Sequence, residues 1–244
     1  TQLKPGVNGE VENDMDIILI PGLWLDGASW GPVADQLEAA GHTVRALTLP
    51  GLEAKGADRA GITLADHVAA VVDAVDAAEA PALVVGHSAA SALAYCAADA
   101  RPEKVARLVY VGGFPSPDGE QFMKGLAADG DGVSFPGWAA FEGPDSADID
   151  EDTRSALLER FIPTPVGVIT GTISLSDERR YAVPATAICP EYSPAELREW
   201  IAGGDLPELA KATHLDLVDI DSGHWPQFTQ PARLAELLIA EAAR

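Results

Sequence analysis

The run Leu83-Val84-Val85-Gly86-His87-Ser88-Ala89-Ala90 constrains the fold more than any other stretch. An apolar segment stops at Gly-His-Ser, and an alanine-rich helical pattern starts at once. A short buried strand that turns directly into a helix leaves its turn residue exposed above the sheet edge. That residue also lies beside the helix N-terminus, whose free N–H groups favour negative charge. Ser88 holds this position. The pattern approaches G-x-S-x-G, a strand–turn–helix elbow that presents a nucleophile, with Ala90 in place of the last glycine. The plainer alternative is a serine that only caps the helix. A second signal, Ser222-Gly223-His224-Trp225-Pro226, stands near the C-terminus.

Short apolar strands alternate with amphipathic helices on both sides of this elbow. Strands are expected at Asp16–Ile20, Thr43–Leu47, Ala82–Val85 and Val105–Val111, then at Ala185–Ile188 and Leu215–Ile220. Between them Pro32 suits the first turn of a helix that Gly41 closes. Thr63 with Asp66 forms a capping-box pattern, and Leu64, Val68, Val71, Val72 and Val75 recur at helical spacing. Pro194 opens a later helix, and Pro231 opens the last one. In that last helix Leu234, Leu237, Leu238 and Glu241 suit packing on one side and solvent on the other. Such alternation predicts an α/β fold: a mostly parallel central sheet with helices on both faces and ligands at the carboxyl ends of the strands.

The alternation breaks at Gly112. Residues 113–182 are rich in Gly and Pro, carry Phe114, Phe122, Met123, Phe135, Trp138 and Phe141, and hold one helix around Asp152–Phe161. They read as an inserted cap, with residues 15–112 and 183–244 as the core. The cap's aromatics either line a substrate pocket or form a small core of their own. Residues 1–14 are polar and aperiodic, an N-terminal extension, with Met15 as the natural start.

A chain of 244 residues can bury one sizeable core, and 47% hydrophobic residues supply it. No apolar run reaches the length of a membrane span. The run Ile17–Leu23 follows acids and lacks the basic flank and cleavage site of a signal peptide. Two cysteines make no disulfide framework and lack metal spacing, so the cytoplasm is the expected location. The net charge of −22 argues against nucleic acid and anionic membrane as partners. A small molecule is the expected partner, and no metal or organic cofactor is expected.

A serine hydroxyl is a weak nucleophile until a base takes its proton. Of the five histidines, His42 and His67 fall in helix or loop contexts far from strand ends, and His214 precedes the last strand. His87 lies within the elbow and points elsewhere. His224 follows the carboxyl end of the last strand and can hang over the same sheet edge as Ser88. It is the expected base. An oxyanion needs donors: the Ala89 amide is one, and the Pro21-Gly22-Leu23-Trp24 loop offers the other at Leu23, with Trp24 as a second option.

These residues resemble the α/β-hydrolase fold over essentially all of Met15–Arg244. The loop from Pro21-Gly22 through Gly27-Ala28-Ser29-Trp30 resembles the HG…GAW…W stretch of the plant methylesterase and hydroxynitrile lyase branch. Leu49-Pro50-Gly51 resembles its D-L-P-G turn. The resemblance implies Ser88 as nucleophile, His224 as base and Leu23 as oxyanion donor. It also implies an acid, and here the chain departs from the pattern. The usual place falls near Ser193, and an alternative place falls at Gly112; neither is acidic. Glu191 is the nearest carboxylate to the first and Asp118 to the second. Glu191 is the favoured acid, and a Ser–His dyad is the remaining option.

The expected activity is hydrolysis of an ester or lactone of a small, fairly apolar molecule. Trp24, Phe114, Met123, Trp138 and Trp225 are the expected substrate-shaping residues. Two other readings keep the same pocket: a lyase, cyclase or cofactor-free oxygenase, and a ligand-binding protein without turnover.

Overall fold

Eight strands and nine α-helices occur among the residues that the structure describes, 14–244, in a computed structural model. The expected extension, residues 1–14, lies outside this range except for its last residue. The strands are β1 (Asp16–Ile20), β2 (Thr43–Ala46), β3 (Ala82–His87), β4 (Val105–Val111), β5 (Gly132–Val133), β6 (Thr164–Pro165), β7 (Ala185–Cys189) and β8 (Leu215–Asp219). The helices are α1 (Gly31–Ala39), α2 (Leu64–Asp76), α3 (Ala90–Ala100), α4 (Glu151–Arg160), α5 (Val166–Ile169), α6 (Pro194–Gly203), α7 (Pro207–Ala210), α8 (Pro226–Thr229) and α9 (Pro231–Ala242).

Six strands form one sheet in the order β2-β1-β3-β4-β7-β8, and every neighbouring pair is parallel. Strands buried on both faces should be continuously apolar, and β3 is buried along its whole length. On one face Ile17, Leu19, Leu83, Val85 and Val109 pack against Val33 and Leu37 of α1 and Leu234 and Leu238 of α9. On the other, Ile18, Ile20 and Val84 pack against α2 and α3. Local chemistry sets the helix starts. Thr63 and Asp66 close the expected capping box on α2, and Ser193 and Glu196 close another on α6. Glu241 departs from expectation. It is buried, accepts a hydrogen bond from Thr186 Oγ1 at 2.7 Å and lies 3.5 Å from Arg107 Nε. Polar side chains reaching up from β4 and β7 draw it inward.

The chain passes from β1 outward to β2, then returns to the other side of β1 as β3. The strand order therefore reverses between β1 and β3, and a crevice forms at their carboxyl ends. The loop after β1 and the elbow after β3 both open there.

The segment between β4 and β7 is less separate than the sequence implies. Its two ends join the main core, where Phe122, Val168, Ile173, Leu175 and Val183 are buried with α3. Only its middle forms a distinct cluster. There Ile149, Leu157 and Phe161 pack with Trp24 and Trp225 from the sheet loops, with Phe135, Trp138 and Phe141 around them. The short pair β5–β6 is antiparallel. Arg180 pins the exit of the segment to the far end of α3, bonding Tyr95 Oη and Asp99 Oδ1 at 3.1 Å each and Glu208 Oε2 at 3.3 Å.

Candidate active site

Ser88 sits at φ +54°, a left-handed conformation that non-glycine residues seldom adopt. The strand end forces it. The Ser88 N–H donates to the Val111 carbonyl at 2.8 Å, while the Ser88 carbonyl already accepts from Ser91 N–H at 3.0 Å in the first turn of α3. Such a sharp turn needs bare backbone around it. A Cβ on Gly86 would press into the Ala90 carbonyl and come 2.8 Å from Ser91 Cα. A Cβ on Gly113 would collide with the Ser88 carbonyl. The last elbow position tolerates a methyl group: Ala90 is buried in the core cluster.

His224 meets Ser88 as expected. Its Nε2 lies 2.8 Å from Ser88 Oγ, and its Nδ1 lies 2.7 Å from Glu191 Oε1. A carboxylate only accepts, so Nδ1 carries the proton and Nε2 presents its lone pair to the serine hydroxyl. Glu191 thus reaches the imidazole from two residues beyond β7. Asp118 does not: it is exposed, and its Oδ1 accepts from the Leu175 N–H at 2.8 Å. Ser193, at the usual acid position, caps α6 instead.

Several residues hold His224 in place that sequence reasoning left out. Its N–H donates to the Asp145 carbonyl at 2.8 Å, and the preceding Gly223 N–H donates to Asp148 Oδ2 at 2.8 Å. His87 Nε2–H donates to the His224 carbonyl at 2.7 Å, and Gln227 donates to His87 Nδ1 at 3.3 Å. Burial first, and the His224 charge second, pull the His87 pKa down to about 3, so it is neutral. Burial, and then the charge of Glu191, raises the Asp145 carboxyl. The sequence carried one signal for this shell: its glycines. Gly22 leaves room for His87, whose Nδ1 would lie 2.6 Å from a Cβ there.

The amides of Ala89 and Leu23 have no hydrogen-bond partner among the described residues. The Trp24 amide is taken. It donates to Thr164 Oγ1 at 3.1 Å, so the loop's second option is closed. Trp24 lies at φ +64°, fastened further by its indole N–H to the Val133 carbonyl at 3.0 Å and by Ile162 N–H to its own carbonyl at 2.9 Å.

The expected substrate-shaping residues do not gather in one place. Trp24, Trp138 and Trp225 belong to the aromatic cluster under the inserted segment, with Trp138 and Trp225 5.5 Å apart between ring centres. Phe114 and Met123 pack at the other side, Phe114 against Tyr192 and Trp200. A small cleft with a cavity volume of only about 10 Å³ lies instead beside the elbow, lined by Leu23, Leu49, Leu52, Ala90, Leu93 and Phe122 among others. His67, expected far from the strand ends, is on its wall. Among the described residues no helix is long and apolar enough to cross a membrane, and no cluster of three metal-binding side chains occurs.

A parallel sheet with a serine elbow after β3, a histidine after β8 and a carboxylate after β7 defines the α/β-hydrolase class. The chain belongs to the alpha/beta hydrolase family, whose sequence pattern matches residues 17–237. It is similar to Methylesterase 7 of Arabidopsis thaliana, with 26% identity over 262 aligned positions that span 93% of this chain and 96% of that protein. A pyrethroid hydrolase from Sphingobium faniae JZ-2 shares the fold at a TM-score of 0.73 and 23% identity, covering 94% of this chain and 97% of that one. A methylesterase from Arabidopsis superposes at a TM-score of 0.74 with 14% identity, covering 94% and 99%.

Proposed function

We propose that this chain is a carboxylic ester hydrolase that uses Ser88 as nucleophile. One observation carries the reading: the unbroken chain from Ser88 Oγ through His224 to Glu191, with links of 2.8 and 2.7 Å. His224 Nε2 takes the Ser88 proton as Oγ attacks the ester carbonyl. The imidazolium that forms is balanced by Glu191, which also fixes the tautomer. The Ala89 and Leu23 amides receive the oxyanion. His224 then gives the proton to the leaving alcohol. Water, deprotonated by the same nitrogen, attacks the acyl-enzyme, and Ser88 regains its proton. No step requires a metal or an organic cofactor.

The substrate class is an ester or lactone of a small, fairly apolar molecule. The mostly aliphatic wall of the cleft beside the elbow supports the apolar character. The names of the similar proteins, a methylesterase and a pyrethroid hydrolase, support ester chemistry.

Labelling by a fluorophosphonate probe tests the reading, with p-nitrophenyl acetate turnover measured alongside. Wild type is expected to label at Ser88 and turn over. Ser88→Ala is expected to do neither, and His224→Ala to label slowly. A folded wild type that does not label, or turnover that survives Ser88→Ala, overturns it.

A further inference from the structure

The loop that carries His224 is gripped by one turn of the inserted segment, residues 145–149. Asp148 Oδ2 accepts the Gly223 N–H at 2.8 Å, and the Asp145 carbonyl accepts the His224 N–H at 2.8 Å. Two consecutive amides of the base's loop are thus held from the same side. The approach is as close as bare backbone permits. A Cβ on Gly223 would lie 2.5 Å from the Asp145 carbonyl oxygen and would press into Asp148 Oδ1.

The turn is itself fastened by Arg154 of α4. Arg154 Nη2 donates to the Ser146 carbonyl at 2.8 Å and to Ser146 Oγ at 3.1 Å, and Nε donates to the Ile149 carbonyl at 3.0 Å. Ser146 is fully buried, and its Oγ donates to the Phe141 carbonyl at 2.6 Å. A planar guanidinium can fix several acceptors at once in one geometry. The bond from Gly223 to the Asp148 carboxylate is charge-assisted, and so stronger than a bond between neutral groups.

This grip bears on the chemistry because the His224 ring must meet two partners together, Ser88 at 2.8 Å and Glu191 at 2.7 Å. A backbone shift of about 1 Å at a catalytic group can cost about 10²-fold in rate. We propose that Asp148 is a positioning residue for the reaction, with Arg154 a second one behind it: through the 145–149 turn they fix the backbone of Gly223 and His224, and so the aim of the imidazole. The base is then assembled jointly by the sheet and the inserted segment. The inference rests on the ester-hydrolase reading of Ser88.

The test uses Asp148→Ala, which removes the acceptor, and Asp148→Asn, which keeps an oxygen for the Gly223 N–H but no charge. Acylation and deacylation use the same nitrogen, so both steps slow together. Asp148→Ala is expected to lower kcat for p-nitrophenyl acetate by about tenfold or more with KM within about threefold. Asp148→Asn is expected to recover most of the loss. An alanine variant within about twofold of wild type in kcat, or an asparagine variant no better than alanine, overturns the proposal. Arg154→Met is expected to lower kcat in the same way, and the double variant with Asp148→Ala to lose at most about twofold more than the worse single one, because both act through one turn. Losses that multiply overturn the part assigned to Arg154. A second readout needs no turnover: the 15N shifts of the two His224 ring nitrogens, which report how fully the proton stays on Nδ1. They are expected to move towards each other in Asp148→Ala and to stay near wild type in Asp148→Asn. A residue that only stabilised the fold would lower the melting temperature and leave these shifts unmoved well below it. Unmoved shifts in Asp148→Ala overturn the proposal, and this arm decides it even if Ser88 proves unreactive.

Discussion

Gly112 and Glu191 converge on one nitrogen. A Cβ on Gly112 would lie 3.5 Å from His224 Nδ1 and 3.6 Å from Glu191 Oε2, while Glu191 Oε1 holds that Nδ1 at 2.7 Å. Two strand ends, those of β4 and β7, thus offer a place for the same carboxylate, and this chain fills the second. Glu191→Ala is expected to lower ester turnover by about 10⁴-fold, as loss of the orienting acid does elsewhere. Adding Gly112→Asp to that variant is expected to return about tenfold or more. The position is left-handed at φ +63°, a conformation that aspartate tolerates better than most side chains. Steady-state kinetics of the two variants against wild type decide it, and a double variant no faster than Glu191→Ala contradicts the prediction.

His87 makes acid sensitivity measurable. Its pKa falls from 6.5 to about 3 on folding, chiefly by burial. Between those values the unfolded chain binds a proton that the folded chain does not. Stability is therefore fully present above about pH 6.5 and lost as pH falls, at about 1.4 kcal/mol per unit. His87→Gln keeps an N–H for the His224 carbonyl but does not titrate. Urea unfolding at pH 7 and pH 4.5 is expected to show a smaller loss in the variant than in wild type. Parallel losses would mean that other groups dominate.

Gly86 and Gly31 should respond oppositely to one methyl group. At Gly86 the new Cβ meets the Ala90 and Ser91 backbone, which cannot move without breaking the elbow. Gly86→Ala is expected to cost about 3 kcal/mol or more, or to prevent folding. At Gly31, in the first turn of α1, a Cβ meets nothing within 4 Å. Gly31→Ala is expected to be neutral or to stabilise by up to about 1 kcal/mol. Thermal unfolding of the pair measures both.

Thr164 props the oxyanion loop from outside. Thr164→Val leaves the buried Trp24 N–H without an acceptor, at a cost of about 1–3 kcal/mol. Turnover is expected to fall about tenfold as the neighbouring Leu23 amide loses its fixed direction. Thr164→Ser, which keeps the oxygen, is expected to restore most of it. Equal rates for the valine and serine variants would contradict this role for the hydroxyl.

The parts legible in the sequence are those with local causes. The six sheet strands follow from apolar runs, the helix starts from Thr63 and the prolines, and the elbow from Gly86-His87-Ser88. Chain order alone was enough to set His224 over Ser88, because both follow strand ends on one sheet edge. Glu191 was harder: the alternative carboxylate, Asp118, accepts from the Leu175 N–H and not from the imidazole, and that depends on how the inserted segment folds back. The substrate-shaping aromatics failed to gather for a related reason. Residue type marks Trp24, Trp138 and Trp225 as apolar, but nothing in their spacing says whether they face a cleft or one another. His67 is the reverse case. Its helix was readable, and the sheet edge that the helix passes was not. Glu241 looked solvated by its charge, and its partners Arg107 and Thr186 lie more than fifty positions away in sequence.

Trp24 has one further consequence. Its amide, its carbonyl and its indole are each tied to the segment between β4 and β7, and the residue before it carries the amide proposed above as an oxyanion donor. The roof and the anion receptor are thus sewn together. If the segment lifted as a hinged cover, it would pull this strand of backbone with it and leave the site without a working receptor until it closed.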